Sequence, residues 1–458
     1  MFEQTEPQRE TVPLLDFAIQ QMARHAREIR ARWAWVEPLV WTVRMLTALE
    51  EGVKGGKWFS LMDKVYALDN LRAAFARVKA NRGAAGVDHQ TTEMFAQNLE
   101  ANLETLAKQL KAGNYKPLEV KRTWIPKPGS TEKRPLGIPT VRDRVVQTAL
   151  RSVLEPIFEW TFHKHNYGFR PGRSCKDALR RVNQLLRNGY TWIVDVDLKR
   201  YFDTIPREQL MARVAERVSD GRVLGLIRLF LEQGVMEDLT VTFPEDGTPQ
   251  GGVISPLLSN IYLNPLDHLM GQTGFEMIRY ADDFVIMCRS EEEAQAAMGR
   301  LKERTKEAGL NLHPEKTRIV QVVLGRRDSE SFDFLGYTFW GEWKLPRKKS
   351  LQKLKDTIRE KTPRRNGKSL PEIITNVNRT LRGWFEYFKH SIRGPLSKLD
   401  SWIRRRLRSI LQTRHHQRKR SGRGKAHLQW PNAYFTKHGL FSLETAHVEA
   451  CQSSKRQP

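Results

Sequence analysis

Apolar positions follow a helical period at both ends of the chain. From Leu14 to Leu49 they recur between basic residues at spacings that suit amphipathic helices. Spacings of three and four residues return at 373–388 and again at 396–410. Together with a basic helix candidate at Ser350–Lys361, these runs predict a small three-helix bundle.

Two short β-prone runs in the middle of the chain lead into aspartates. Residues 192–196 predict a buried strand with Asp197 at its exit. Apolar residues on both sides of Ala-Asp-Asp predict a tight β-hairpin with Asp282 and Asp283 at its tip. Helical patterns at 208–233 and 291–308 alternate with these strands, so the order of elements predicts an α+β fold.

Proline and glycine mark two further turns. The segment Trp124–Pro139 combines them with the cations Lys127, Lys133 and Arg134, which predicts a basic loop or hairpin. A glycine-rich turn is expected at 247–252.

Charge and composition narrow the class of partner. The 458 residues include 77 Lys and Arg against 52 Asp and Glu, giving a net charge of +25 and a pI near 10.1. Such a field attracts nucleic acid. A membrane surface is the less favoured alternative, because the positive charge is not confined to one amphipathic helix. There is no apolar run of about eighteen residues and no secretory signal, so we expect a protein of the bacterial cytoplasm or nucleoid with no membrane partner.

Length and cysteine spacing limit the architecture further. At about 100 to 200 residues per domain, the chain should contain about two to four domains. Cys175, Cys288 and Cys451 are far apart and form no CxxC pair, so neither a disulfide framework nor a thiolate zinc site is expected.

The three aspartates suit metal-assisted nucleotide transfer. Two Mg²⁺ ions can activate a 3′-hydroxyl, hold the leaving pyrophosphate and stabilise charge on the transferring phosphoryl group. Mg²⁺ takes hard oxygen ligands, and Asp197, Asp282 and Asp283 would converge on such a metal pair if their strands are neighbours. The alternative is that Asp282 and Asp283 only make a polar turn.

The order of the motifs resembles the reverse transcriptase family. Six blocks occur in the family's order: RPLGIPTVRDRVVQ (134–147), NYGFRPGRS (166–174), DLKRYFDTI (197–205), TPQGGVISPLLSNIYL (248–263), RYADD (279–283) and FDFLGYTF (332–339). The resemblance implies a right-hand polymerase with fingers, palm and thumb, dNTP substrates and a two-metal Mg²⁺ site.

The same resemblance assigns roles to single residues. It implies that Asp197 and Asp282 are the principal metal ligands and that Asp283 supports the site. Phe202, five residues after Asp197, stands where the family places an aromatic ring that crowds a 2′-hydroxyl. An ordinary core phenylalanine is the alternative for Phe202.

Five more residues are implied to meet the incoming dNTP. Gln250 and Gly251 resemble a loop beside the nascent base pair, although a plain turn is the alternative. Lys127 and Arg134 would neutralise the triphosphate. Lys316 matches the place of a lysine near the leaving pyrophosphate, with a solvated surface lysine as the alternative.

The C-terminal third resembles the thumb and maturase region of group II intron proteins, with LRGWFEYF at 381–388. We expect an N-terminal helical extension at 1–65, fingers and palm at 66–345, a thumb and maturase domain at 346–430 and a basic tail at 431–458. The residues expected to contact nucleic acid are Arg170, Arg173, Arg404, Arg405, Arg406, Arg408, Arg418, Lys419 and Arg420.

These features predict an RNA-directed DNA polymerase that binds its own group II intron RNA, assists its splicing and copies it during intron mobility. Its partners would be an RNA template, the intron RNA and a DNA primer or target. The sequence leaves the oligomeric state open. Two alternatives remain: a domesticated reverse transcriptase for phage defence or DNA repair, and a maturase that only binds RNA.

Overall fold

The computed structural model describes residues 14–53, 55–126, 133–238, 240–244, 246–248, 251–326, 328–341, 343–415 and 423–456. Five residues with predicted roles lie outside these ranges: Lys127, Gln250, Arg418, Lys419 and Arg420.

The N-terminal part is helical, as its apolar spacing predicts. Its helices are α1 (Leu14–Arg32), α2 (Val43–Glu51), α3 (Met62–Val65), α4 (Leu68–Ala80), α5 (Thr92–Gln97) and α6 (Leu99–Ala112). Helix α2 begins at Thr42, whose side chain accepts a hydrogen bond from the Met45 N–H. Trp41 is fully buried, and its indole N–H donates to the Ser152 carbonyl (3.0 Å). The extension therefore shares its core with the rest of the polymerase-like region.

A basic hairpin follows, formed by β1 (Val120–Pro126) and β2 (Lys133–Ile138), which pair antiparallel. This agrees with the prediction for residues 124–139. Helix α7 (Val141–Glu159) begins at Thr140, which accepts a hydrogen bond from Asp143 N–H, and α8 (Cys175–Arg187) lies beyond it.

The central elements alternate helix and strand. They are β3 (Trp192–Asp197), α9 (Tyr201–Thr204), α10 (Arg207–Ala215), α11 (Gly221–Leu231), β4 (Val235–Glu237), β5 (Thr240–Thr242), α12 (Ser255–Gln272), β6 (Glu276–Tyr280), β7 (Asp283–Cys288), α13 (Glu291–Glu307) and β8 (Arg318–Gln321). The predicted helical stretch at 208–233 is divided into α10 and α11, since Asp220 accepts hydrogen bonds from Arg222 and Val223 N–H and starts a new helix.

Two four-stranded sheets result. One has the order β2-β1-β4-β5, and the other, the palm sheet, has the order β6-β7-β3-β8. The palm sheet packs against a core on each face: Val194 and Phe284 pack into one core, and Ile193 and Val285 pack into another.

A small sheet leads out of the palm. It contains β9 (Ser331–Phe334), β10 (Tyr337–Trp340) and β11 (Trp343–Pro346), in the order β11-β10-β9. Phe332 and Phe339 stack with ring centroids 4.9 Å apart and join the second palm core.

The C-terminal helices are α14 (Lys348–Lys361), α15 (Leu370–Phe388), α16 (Arg393–Arg414), α17 (Arg423–Gln429), α18 (Asn432–Lys437) and α19 (Leu443–Arg456). The first three form the predicted bundle around their own core. The expected basic tail after residue 430 differs from the structure. Phe435 and Leu443 are buried in the bundle core, and Asp400 accepts a hydrogen bond from Leu443 N–H (3.0 Å). Apolar side chains thus fold this segment onto α16.

The α+β class is confirmed. Among the residues that the structure describes, no helix is both long enough and apolar enough to cross a membrane.

Candidate active site

The three predicted carboxylates lie at one end of the palm sheet. Strands β3 and β7 pair antiparallel with Asp197 directly opposite Asp283. Residues directly opposite in such a pair have side chains on the same face. Ala281 and Asp282 make the turn between β6 and β7, and Ala281 has a φ of +60°. The register therefore brings together all three aspartates that the sequence singled out.

A buried arginine holds this turn. Arg279 is fully buried, and its Nε donates to Asp267 Oδ1 (2.7 Å). Its Nη1 donates to Asn260 Oδ1 and to the Ala281 carbonyl, both at 2.9 Å. Asp267 and Asn260 belong to α12 and are themselves buried. The helix thus fixes the main chain immediately before Asp282.

Sequence reasoning missed this network. A signal for it existed, because Arg279 follows two apolar residues in its strand, and a buried charge needs a partner. The partner Asp267 could not be identified, since it lies on another element, eleven residues separate the two positions, and no spacing rule links them.

The block at 166–174 packs against the turn between β6 and β7. A Cβ on Gly168 would lie 2.2 Å from the Ala281 nitrogen, so only glycine fits there. The Gly168 carbonyl accepts a hydrogen bond from Asn260 Nδ2 (2.7 Å), and Tyr167 N–H donates to the Arg279 carbonyl (2.8 Å). These contacts therefore restrict the conformation of the turn.

Arg170 in that block has a structural role in place of the expected contact with nucleic acid. Its side chain is buried, pairs with Glu159 (2.6 Å) and donates to the His163 and Asn166 carbonyls. The N–H groups of its guanidinium are thereby bonded to partners inside the protein. Arg173 is half-buried, and its Nη1 donates to the Lys164 carbonyl (2.5 Å).

Burial raises the pKa of three carboxyl groups at this end of the sheet, those of Asp282, Asp283 and Asp195. Burial is the main cause for Asp282, whose pKa is also raised by Asp197 and lowered by Arg134. Burial raises the pKa of Asp283 to about 7; the Leu335 N–H opposes this shift, and Asp282 and Asp195 add to it. Burial likewise raises the pKa of Asp195 to about 6. Burial therefore favours the protonated form of these three carboxyl groups.

The site fits a hard divalent cation in one respect and is incomplete in another. Its donors are carboxylate oxygens, which Mg²⁺ prefers. Within the described ranges, however, no group of three or more His, Cys, Asp or Glu side chains is arranged to hold a metal ion. Mg²⁺ commonly uses only one or two carboxylates and completes its shell with water and substrate phosphates, so two carboxylates are sufficient on the protein side.

Lys316 contacts the first aspartate. Its Nζ lies 2.6 Å from Asp197 Oδ2, and its side chain is 61% exposed. The same loop fixes the Asp197 main chain, because His313 N–H donates to the Asp197 carbonyl (2.8 Å). A solvent-accessible ammonium thus borders the cluster.

Phe202 and Gly251 lie on either side of a loop that approaches the site. Phe202, in α9, is half-buried, and its carbonyl accepts a hydrogen bond from Thr248 N–H (2.7 Å). Gly251 has a φ of +110°, and a Cβ there would lie 2.1 Å from the Gly137 carbonyl oxygen of β2. Gln147 in α7 accepts a hydrogen bond from Val253 N–H (2.7 Å) and anchors the end of the loop. Thr248 therefore contacts α9, and Gly251 lies against the basic hairpin, where Arg134 is exposed.

The four arginines of thumb helix α16 differ in how far they are buried and in what they contact. Arg408 is buried, donates to the Trp430 carbonyl and Asn432 Oδ1 (both 2.8 Å), and so stabilises the bundle instead of binding nucleic acid. Arg406 donates to Thr362 Oγ1 and to the Thr362 carbonyl at the end of α14. Arg405 is exposed, and Arg404 is half-buried.

Two family models match the chain in succession. Residues 125–339 match "Reverse transcriptase (RNA-dependent DNA polymerase)", and residues 351–429 match "Group II intron, maturase-specific domain". The first match contains the palm sheet with its three aspartates, and the second contains α14 to α17.

Several known proteins are similar to this chain. Protein YkfC of Escherichia coli (strain K12) is 34% identical over 341 residues, covering 64% of this chain and 84% of YkfC. Group II intron-encoded protein LtrA of Lactococcus lactis subsp. cremoris is 38% identical over 213 residues, covering 46% of this chain and 35% of LtrA. A solved "Partial Cas6-RT-Cas1--Cas2 complex" chain is 27% identical, with 54% of this chain and 41% of that chain covered at a TM-score of 0.36.

The palm sheet, the basic hairpin and the helical thumb define a polymerase of the right-hand type. The chain belongs to the family of group II intron-encoded reverse transcriptases with a maturase domain, which are RNA-directed DNA polymerases. The predicted family and enzyme class are confirmed, and the class implies divalent metal ions, dNTPs and RNA as its general requirements. The chain spans 84% of YkfC but about a third of LtrA, at 35%.

Proposed function

We propose that this chain extends a DNA primer on an RNA template, with Asp197 and Asp282 as ligands of a Mg²⁺ pair. The observation that carries the proposal is the β3–β7 register, which sets Asp197 opposite Asp283 with Asp282 in the adjoining turn. When bound, the two Mg²⁺ ions would polarise the triphosphate and lower the pKa of the primer 3′-hydroxyl.

The chain's own residues would hold this geometry in place. Arg279 fixes the main chain before Asp282, and the Leu335 N–H donates a hydrogen bond to the Asp283 carboxylate. Asp283 is therefore proposed as a supporting carboxylate and not as a ligand throughout the reaction. Its hydrogen bond to Leu335 (3.4 Å) leaves Asp197 and Asp282 as the two direct ligands.

The incoming dNTP would lie between the hairpin and the palm sheet. Arg134 would bind its phosphates, Phe202 would exclude a 2′-hydroxyl, and Gly251 would let the loop backbone approach the nascent base pair. The Lys316 ammonium, which contacts Asp197, would bind the leaving pyrophosphate instead. Lys127 and Gln250 belong to this proposal by their places in the sequence blocks.

RNA and DNA partners complete the proposal. The template, the parent intron RNA and the DNA primer or target would meet the exposed basic surface of the thumb. Arg404 and Arg405 offer accessible cations there, and Arg418, Lys419 and Arg420 extend the same basic run in the sequence. Recognition of an A-form duplex relies mainly on shape and sugar-phosphate contacts, which suits such a surface. We further propose a bacterial cytoplasmic or nucleoid location.

Splicing assistance can be tested separately from polymerisation. The DNA flanking the gene should encode a structured intron RNA, and the protein should accelerate splicing of that precursor. Arg405→Ala should weaken binding to the precursor RNA to a similar extent whatever the RNA sequence. It should also reduce, by about one, the slope of the logarithm of the binding constant against the logarithm of the salt concentration. Lys437→Ala, a charge-matched control on α18, should leave both unchanged. Polymerisation without any intron RNA or splicing would favour the domesticated reverse transcriptase, and splicing without polymerisation would favour the RNA-binding maturase.

A further inference from the structure

The turn between β9 and β10 is built from two residues with positive φ. Leu335 has a φ of +47° and Gly336 a φ of +81°. Two-residue hairpin turns of this kind favour glycine or asparagine at both positions. A leucine there persists only where its surroundings hold it in place. The contacts of Leu335 therefore explain why the turn keeps this shape.

The two main-chain polar groups of Leu335 form hydrogen bonds with two different domains. Its N–H donates to Asp283 Oδ2 in the palm (3.4 Å). Its carbonyl accepts a hydrogen bond from the Tyr387 hydroxyl of thumb helix α15 (2.7 Å). One residue thus lies between the thumb and a carboxylate of the catalytic end of the sheet.

The rest of the turn is also attached to the thumb. The Gly336 carbonyl accepts hydrogen bonds from Arg347 N–H (2.9 Å) and from Ser350 Oγ (3.2 Å), at the start of α14. The Tyr337 hydroxyl donates to the Tyr387 carbonyl (2.5 Å). Both α14 and α15 are therefore hydrogen-bonded to one hairpin, and a displacement of the thumb would be transmitted to it.

We propose that the Leu335–Gly336 turn couples the thumb to the catalytic carboxylates and that Tyr387 is a positioning residue for nucleotide addition. The proposal rests on the proposed polymerase function and extends it to how the site is regulated. Because Asp283 lies opposite Asp197 and next to Asp282, a shift of the Leu335 N–H changes the environment of the pair that holds the metal ions. A thumb that has closed on its duplex would keep this turn in place, and an unloaded thumb would release it.

Kinetics of single-dNTP addition on a primed RNA template test the coupling. Tyr387→Phe removes one hydroxyl and keeps the ring that packs against Phe388. We expect kcat to fall about fivefold or more, the size that one lost hydrogen bond supports, with KM for dNTP unchanged within about twofold. Tyr434→Phe, a hydroxyl deletion elsewhere on the thumb, should change neither. A wild-type kcat in Tyr387→Phe would overturn the proposal.

Two further variants separate positioning from packing. The Cys175 thiol also neighbours the Tyr387 hydroxyl, so Cys175→Ala should leave kcat unchanged if the Leu335 contact is the one that matters. In an Asp283→Asn background, Tyr387→Phe should reduce kcat by less than about twofold further, because coupled residues are not additive. Losses that multiply would show that Tyr387 acts independently of Asp283 and would contradict the proposal.

A measurement without turnover distinguishes this proposal from the polymerase assignment. Hydrogen exchange of a peptide covering residues 331–340 should be about threefold faster or more in Tyr387→Phe than in wild type and in Tyr434→Phe. Unchanged exchange would overturn the coupling even if the enzyme polymerises. Faster exchange in Tyr387→Phe, together with a wild-type protein that fails to extend any primer, would support the coupling and reject the polymerase function.

Discussion

The Arg279 guanidinium donates a hydrogen bond to the carbonyl oxygen of Ala281, at 2.9 Å, while its other nitrogens pair with Asp267. A single buried side chain thereby joins α12 to the turn that carries Asp282. The catalytic turn owes its shape to this contact as well as to strand pairing, because Ala281 adopts a positive φ that a non-glycine residue seldom takes.

Removing this arginine should destabilise the whole palm. Arg279→Met leaves the Asp267 carboxylate buried without its charge partner, so the free energy of unfolding should fall by about 3–5 kcal/mol. Arg300→Met, in an exposed pair with Glu303, should have little effect. Denaturant unfolding of the three proteins measures the difference, and a loss below about 1 kcal/mol for Arg279→Met would refute the role assigned to it.

Gly251 should not tolerate a side chain. A Cβ at this position would lie 2.1 Å from the Gly137 carbonyl, at a φ of +110°, so the loop must move away from β2 in Gly251→Ala. We expect a loss of dNTP incorporation of about tenfold or more, measured by primer extension. Gly299→Ala, where the added Cβ meets no atom within 4 Å, serves as the control and should retain activity. Full activity in Gly251→Ala would count against a close approach of the loop to the hairpin.

The raised pKa values of two palm aspartates predict how stability depends on pH. Asp283 and Asp195, at about 7 and about 6, hold protons in the folded protein that the unfolded chain releases near its ordinary value of about 3.9. Their contribution is therefore complete below about pH 4 and is lost as pH rises through about 6 to 7. In a chelator, thermal unfolding should show stability falling over this window by on the order of 1–3 kcal/mol.

Substitution identifies the groups responsible. Asp283→Asn should flatten the decline between about pH 4 and 7, the interval from the ordinary pKa of an unfolded aspartate to the raised pKa of Asp283. Mg²⁺ should restore stability mainly at the upper end, since a ligand that binds only the folded state stabilises it. A decline that Asp283→Asn leaves unaltered would place the titrating group elsewhere.

Phe202 should govern the choice between deoxyribonucleotides and ribonucleotides. Phe202→Val opens space beside the Thr248 loop, so incorporation of rNTP relative to dNTP should rise by about 10- to 100-fold in competition assays. Phe59→Val replaces a phenylalanine that is 70% exposed on the N-terminal region and should leave the ratio unchanged. An unchanged ratio in Phe202→Val would support the simpler reading of Phe202 as a core residue.

The strands and helices were largely predictable because their signals are local. Alternating and helical spacings are properties of short segments, so β3, the β6–β7 hairpin and α13 form where the sequence indicates them. That Asp197 lies near Asp282 and Asp283 could be predicted only from the order of the sequence motifs, because local patterns do not specify which strands pair. The structure supplies that register.

Contacts between distant segments could not be predicted. Gly168 against Ala281, and Asp267 against Arg279, depend on how α12 and the 166–174 block pack on the hairpin. The same limit explains Arg170 and Arg408, since a basic motif in the sequence does not show whether its charge is exposed or satisfied internally. Charge counts identified the partner class, and only packing shows which arginines remain available to it.

Mg²⁺-dependent dNTP incorporation on a primed RNA template, comparing wild type with Asp282→Asn, tests the central claim most directly. The substitution keeps the side-chain volume and removes one anionic oxygen ligand, so extension should fall by about a thousandfold or more while the protein stays folded. Asp328→Asn, an exposed aspartate paired with Arg326, should extend like wild type. Undiminished synthesis by Asp282→Asn would contradict the metal site, and no synthesis by well-folded wild type would contradict the polymerase itself.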